Sequence, residues 1–161
     1  FAGTVIATVD WEITRLLFDW RLLKGPFYLG FELALDLFGM VLMIGLAMAA
    51  WRRFVVRPSR VDASPKFAYA LAVLAVLALT GFLIEGARLA VTRPAWGPWS
   101  PVGWAIADGY AALGLQEAGL RTLHLWLWLF HAALVFVFIA SIPWTYFAHM
   151  VATPLNILLQ K

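Results

Sequence analysis

The hydrophobic positions of this chain do not alternate with polar ones. They run on in three long stretches, at about residues 28–51, 67–91 and 120–151, with charge clustered in the segments between. Each stretch exceeds the roughly 20 residues that a helix needs to cross a hydrocarbon core. Gly25-Pro26 and Ser64-Pro65 are start signals for the first two spans, and Thr153-Pro154 is the expected stop of the third. Ser100-Pro101 supplies an N-cap residue followed by a first-turn proline, so a short helix is predicted over about residues 101–112. The Trp and Pro residues around it place this helix at the membrane interface. The opening segment, Phe1 to Val9, is apolar but too short to span, and it runs into Asp10-Trp11-Glu12. It reads as the outgoing end of an earlier helix, and the chain is expected to be a piece of a longer one. The predicted fold class is an all-α polytopic transmembrane bundle. It forms a single membrane domain over 1–161, with three full spans, the end of a preceding span and an interfacial helix.

Composition agrees with that pattern and narrows the chemistry. Hydrophobic residues make up 63% of the chain and charged residues 13%, against about 45–50% and 25% in an average soluble domain. Too few polar side chains exist to coat one small core, and lipid is the expected surroundings. With no cysteine, the chain cannot hold a thiolate-ligated iron–sulfur cluster or a Cys-rich zinc site. The net charge of +3 is not arranged as a basic surface interleaved with stacking aromatics, so no nucleic-acid partner is expected.

The cations set an orientation. Arg52, Arg53, Arg57, Arg60 and Lys66 face a single Asp62 in the segment after the first span, whereas the other loops mix both signs. The excess of Lys and Arg on the inner side of membranes puts residues 52–66 in the cytoplasm. The third span then runs inward, and the C-terminus is cytoplasmic, as expected for a multi-pass protein of the inner membrane.

The three histidines, His124, His131 and His149, all fall in the last apolar stretch. Singly, each reads as an interfacial or helix-pairing residue, and His124, close to Trp126 and Trp128, fits that description well. His131 and His149 are 18 residues apart, about five turns of a continuous helix, so both would face one way with a rise of roughly 27 Å. Neutral imidazole is a strong iron ligand. Two haems stacked across a bilayer require two histidines at such a spacing on one helix face.

The segment from His131 to Asn156, with Pro143 inside the apolar run and Pro154 after His149, resembles the last helix of the respiratory nitrate reductase gamma-subunit family. Gly81-Phe82-Leu83-Ile84-Glu85-Gly86-Ala87-Arg88-Leu89-Ala90 looks like the branch of that family associated with heterodisulfide-reductase-like iron–sulfur proteins. The oxidoreductases linking electron-transfer flavoprotein to menaquinone belong to that branch, and Gly3-Thr4-Val5-Ile6-Ala7 is similar to the end of its His-bearing helix. The resemblance implies two b haems, with His131 ligating the outer and His149 the inner. It also implies a quinone or menaquinone site beside the outer haem, and a cytoplasmic iron–sulfur subunit or domain as partner. Two bis-histidine haems need four histidines, so the family places the remaining ligands on the helix before Phe1. Met40, Met43 and Met48 are rival ligands or ordinary apolar packing.

Further polar residues have two readings each. Glu32 and Asp36, one turn apart, join Lys24 and His124 as candidates for the proton chemistry of a quinone site. Alternatively, the two carboxylates complement a helix dipole. Glu85 and Arg88 form an i, i+3 ion pair at the membrane edge, and Arg88 is also a candidate for binding a haem propionate. The arginines of 52–60 set topology and are candidates for clamping an inner propionate or docking the partner. Thr153 and Asn156 are expected to cap the last helix near His149. The leading expectation is therefore a diheme cytochrome b, the membrane subunit or domain of a quinone-linked oxidoreductase. The alternative is a haem-free membrane anchor or assembly subunit of a respiratory complex. A carrier is disfavoured, since no internal repeat or matched pair of broken spans is visible.

Overall fold

The computed structural model describes residues 6, 23, 25–57, 65–145 and 147–159, with the side chains at 150 and 151 excepted. Apart from Ile6, the opening stub lies outside the described residues, as do Lys24 and Arg60. Among those described the chain is all-α, with no strand. Helix α1 covers Gly25–Ala50 and continues as a π-helical turn over Trp51–Val56. Helix α2 covers Pro65–Thr92, α3 Pro101–Ala112, α4 Glu117–Ser141 and α5 Ala148–Leu159. Short 3-10 turns lie at Gly97–Trp99 and Ile142–Trp144. Three segments, Gly25–Val56, Pro65–Thr92 and Glu117–Trp144, are long and apolar enough to cross a membrane.

Their surfaces agree with a lipid environment. Phe38 is 71% exposed, Trp126 66% and Phe136 72%, and α4 buries only Leu120. Such continuous apolar exposure is not tolerated in water. The core lies where α2 meets α3, with Ala87, Leu89 and Ala107 fully enclosed. Small residues make that approach possible. A Cβ on Gly86 would collide with Ile106, and one on Gly103 would lie 2.9 Å from Glu85 Cγ and 3.1 Å from Leu89 Cδ1. Helices in membranes pack through such residues because lipid already satisfies apolar side chains.

Polar ties lock α3 in place. Arg93, at a left-handed φ of 37°, pairs with Asp108 at 2.5 Å, donates to the carbonyl of Ala107 at 3.2 Å and lies over the Trp104 ring. Tyr110 donates to the carbonyl of Leu83 at 3.3 Å, and burial pushes its phenol pKa up, which keeps it a donor. The N-terminus of α3 departs from the expected cap. The carbonyl of Ser100 accepts the first helical bond, from Trp104 N at 2.7 Å, but its hydroxyl caps nothing. Asp36 of α1 takes over instead, accepting from Val102 N at 2.6 Å and from Gly103 N at 3.4 Å. A carboxylate at a helix N-terminus satisfies N–H groups that have no partner of their own and complements the dipole.

The last apolar stretch is not one helix to residue 151. Pro143 has no N–H to give the carbonyl of Ile139 and crowds it sterically. That carbonyl is taken instead by Ile142 N, a tighter three-residue step. A 3-10 turn follows, and Thr145 is extended at φ −119°, ψ 176°. Phe138 and Phe147 pack edge to face across the break, with ring centroids 4.9 Å apart. Helix α5 then restarts and carries Pro154 in its interior, so Thr153-Pro154 is not its stop. Thr153 and Asn156 therefore lie within the helix and do not cap its end.

Candidate functional site

His131 is held from α2. Thr80, 6% exposed, sits in the helix interior with its hydroxyl turned back on its own backbone. The hydroxyl lies 2.7 Å from the carbonyl of Val76 and 3.1 Å from that of Leu77, the usual habit of a mid-helix threonine. The same oxygen lies 2.7 Å from His131 Nδ1. Gly81 is adjacent, and a Cβ there would sit 3.9 Å from His131 Cε1. The imidazole is half-buried and tied through Nδ1, while no partner to Nε2 is found among the described residues. A haem iron takes one ring nitrogen while the other is fixed by a neighbouring group. His131 fits such a role for one axial position.

About two turns along α2 from Thr80 lies a charged cluster. Glu85 holds Arg88 with two contacts, to Nε at 3.0 Å and Nη2 at 2.5 Å, a bidentate geometry that resists separation. Arg88 Nη2 is also 3.7 Å from Glu32, and its guanidinium lies 5.3 Å from the Trp96 ring centroid. Glu32 accepts a short hydrogen bond from the Tyr28 hydroxyl and a long one, 3.4 Å, from Ser100. Tyr28 in turn packs edge to face on Trp96. Two carboxylates share one guanidinium here.

The candidates drawn from sequence therefore separate. Arg88 and Glu85 form the expected ion pair, and Arg88 is already bound on two sides by carboxylates. Glu32 joins that pair, whereas Asp36, one turn on, belongs to the α3 cap. Both lie beyond the first turn of α1, the reach of that helix's own dipole. The dipole that Asp36 complements belongs to α3. His124 lines a cavity of about 250 Å³ between α2 and α4, together with Ala87, Arg88, Val91, Thr92 and Arg121. Lys24 lies outside the described residues. His149 is exposed in α5, beyond the Pro143 break, so the shared helix face expected for His131 and His149 is lost. Met40 and Met48 are exposed among the apolar side chains of α1.

Sequence reasoning missed Thr80, Tyr28 and Ser100 as partners of site residues. The spacing of Tyr28 and Glu32, i to i+4, could have flagged the first contact. No local signal marks Thr80, whose partner lies 51 residues away.

No family model matches the chain, and no solved structure matches it. Among curated proteins, it is similar to the EtfAB:quinone oxidoreductase of Syntrophomonas wolfei subsp. wolfei (strain DSM 2245B / Goettingen). The two are 30% identical over 152 residues, covering 86% of this chain and 20% of that protein. The chain thus spans about a fifth of the length of the curated relative it matches.

Proposed function

We propose that this chain is a diheme cytochrome b membrane domain that passes electrons between a cytoplasmic iron–sulfur protein and the membrane quinone or menaquinone pool. The carrying observation is the His131–Thr80 contact, which ties Nδ1 and leaves Nε2 for iron. The relative's printed name, an EtfAB:quinone oxidoreductase, supports quinone as the electron partner and electron-transfer flavoprotein as a further one. A b haem supplies reversible one-electron chemistry when bound.

On this reading His131 holds the outer haem. His149 is assigned to the inner haem by family resemblance alone, since it lies on α5 and not on the helix of His131. Two bis-histidine haems need four histidines and the chain has three, so further ligands are assigned outside these 161 residues, as the family resemblance implies. Arg52, Arg53, Arg57 and Lys66 mark the cytoplasmic side, which puts the Glu32–Arg88–Glu85 cluster and the His124 cavity at the outer end. Glu32 and His124 are there the groups suited to exchange protons with a quinol. Asp36 keeps its carboxylate on the α3 backbone, and Arg88 holds Glu85 and Glu32 beside the cavity. Arg88, already held by Glu85 and Glu32, is also the assigned partner of a haem propionate at this end.

The test is a reduced-minus-oxidised spectrum with a pyridine haemochrome count on the intact membrane complex. Two b haems are expected, one lost in His131→Ala and the other in His149→Ala. A haem count unchanged in both variants overturns the reading. A haem-free anchor is the second reading, favoured by the break after Ser141 that puts His149 on a different helix from His131; it requires no haem at all.

A further inference from the structure

We infer that Thr80 is a positioning residue for His131. It fixes the Nδ1–H tautomer of the ring and strengthens Nε2 as a donor, lowering the midpoint potential of the haem that His131 holds. The inference rests on the reading of His131 as an axial ligand and adds to it the residue that sets the state of the ligand.

The Thr80 hydroxyl has one proton and three neighbours within hydrogen-bond range: the carbonyls of Val76 and Leu77 and the Nδ1 of His131. Carbonyl oxygens only accept. At 2.7 Å from the Val76 carbonyl, the hydroxyl oxygen would meet lone pairs head-on unless its proton lay between them. That proton is therefore committed to the backbone of α2. The 2.7 Å contact to Nδ1 must then be made with a proton from the ring, so Nδ1–H donates to Oγ1. A neutral imidazole carrying its proton on Nδ1 presents a lone pair on Nε2.

Location strengthens the constraint. Thr80 is buried in the middle of α2, and water does not compete for either partner. The threonine methyl limits χ1 in a helix, and the hydroxyl stays on the α2 backbone carbonyls that fix its proton. The ring edge lies over Gly81, where a Cβ would be in ordinary van der Waals contact with His131 Cε1 at 3.9 Å. A hydrogen bond accepted from Nδ1–H shifts electron density toward Nε2 and raises the basicity of the ligand. A more basic ligand favours ferric over ferrous iron, and the potential falls.

The experiment is an optical redox titration of the intact complex, with low-temperature EPR of the ferric haems, on wild type, Thr80→Val and Thr80→Ser. Valine keeps the volume and removes the acceptor, and serine keeps the acceptor. Thr80→Val is expected to move one midpoint to more positive potential and change the g-values of that haem alone. The affected haem should be the one absent from His131→Ala. Thr80→Ser should stay near wild type in both readouts. Full haem content in Thr80→Val with both midpoints and g-values unchanged overturns the inference. So does haem loss that is equal in the valine and serine variants. If His131→Ala retains every haem, the reading of His131 as a ligand has failed instead, and the two failures are told apart by that variant.

Discussion

The two ends of α4 are held in different ways. From Glu117 to His131 it lies along α2, with His124 facing Ala87 and Arg88 across a cavity and His131 tied to a buried threonine. Its last turn tightens at Pro143 and gives way to α5, whose residues 152–159 are all exposed. The part beyond His131 is the more apolar, since Glu117, Arg121, Thr122 and His124 all precede it. Apolarity sets how long a membrane helix can be, but it says little about which way the helix faces or where it bends. Polar contacts and proline decide those, and one polar contact leaves His131 anchored while one proline leaves His149 free of its register.

The sharpest way to erase the difference is Pro143→Ala. An interior proline costs a helix about 3 kcal/mol, and alanine restores an N–H for the Ile139 carbonyl. We expect α4 and α5 to become one helix. Spin labels at the exposed positions Phe136 and Leu155 would then approach the roughly 28 Å that 19 residues span in a straight helix. An unchanged distance distribution would mean that the Phe138–Phe147 contact, not Pro143, holds the bend.

The anchored end is broken next by Gly86→Val, which drives a side chain into Ile106. Overpacking of this kind costs about 1–3 kcal/mol, read as a lowered melting temperature and faster proteolysis between α2 and α3. A smaller loss, about 1 kcal/mol, is expected from Asp36→Asn, since an amide oxygen still accepts from Val102 N but lacks the charge that complements the α3 dipole. A melting temperature equal to wild type would show that the charge itself contributes nothing. The smallest effect belongs to Arg121→Ala. Its pair with Glu117 is 2.7 Å long, but both side chains are about two-thirds exposed, and such pairs are worth at most about 0.5 kcal/mol.

How much of this was legible in the sequence depends on distance along the chain. The all-α membrane class follows from run length, and the Glu85–Arg88 pair from an i, i+3 spacing. Ser100-Pro101 marks the start of α3, yet the carboxylate that caps it comes from Asp36, 66 residues earlier in sequence, and no local pattern could assign it. The same holds for Thr80 and His131. The Pro143 break was visible as a residue and misjudged as a consequence. An apolar run from 120 to 151 reads as continuous, because hydropathy carries no record of a missing N–H.

The Thr80–His131 contact also acts as a rotational stop. Of its own side chains α4 fully buries Leu120, and apolar contact along α2 has little directional preference of its own. A slip of one residue swings a helix by about 100° and slides it about 1.5 Å, which would carry the imidazole out of reach of the hydroxyl. In hydrocarbon such a bond is worth only about 0.6–2 kcal/mol, yet it is directional where apolar contact is not, and so it makes one azimuth preferred. The polar pair therefore works as a detent, setting the angle at which the whole helix comes to rest.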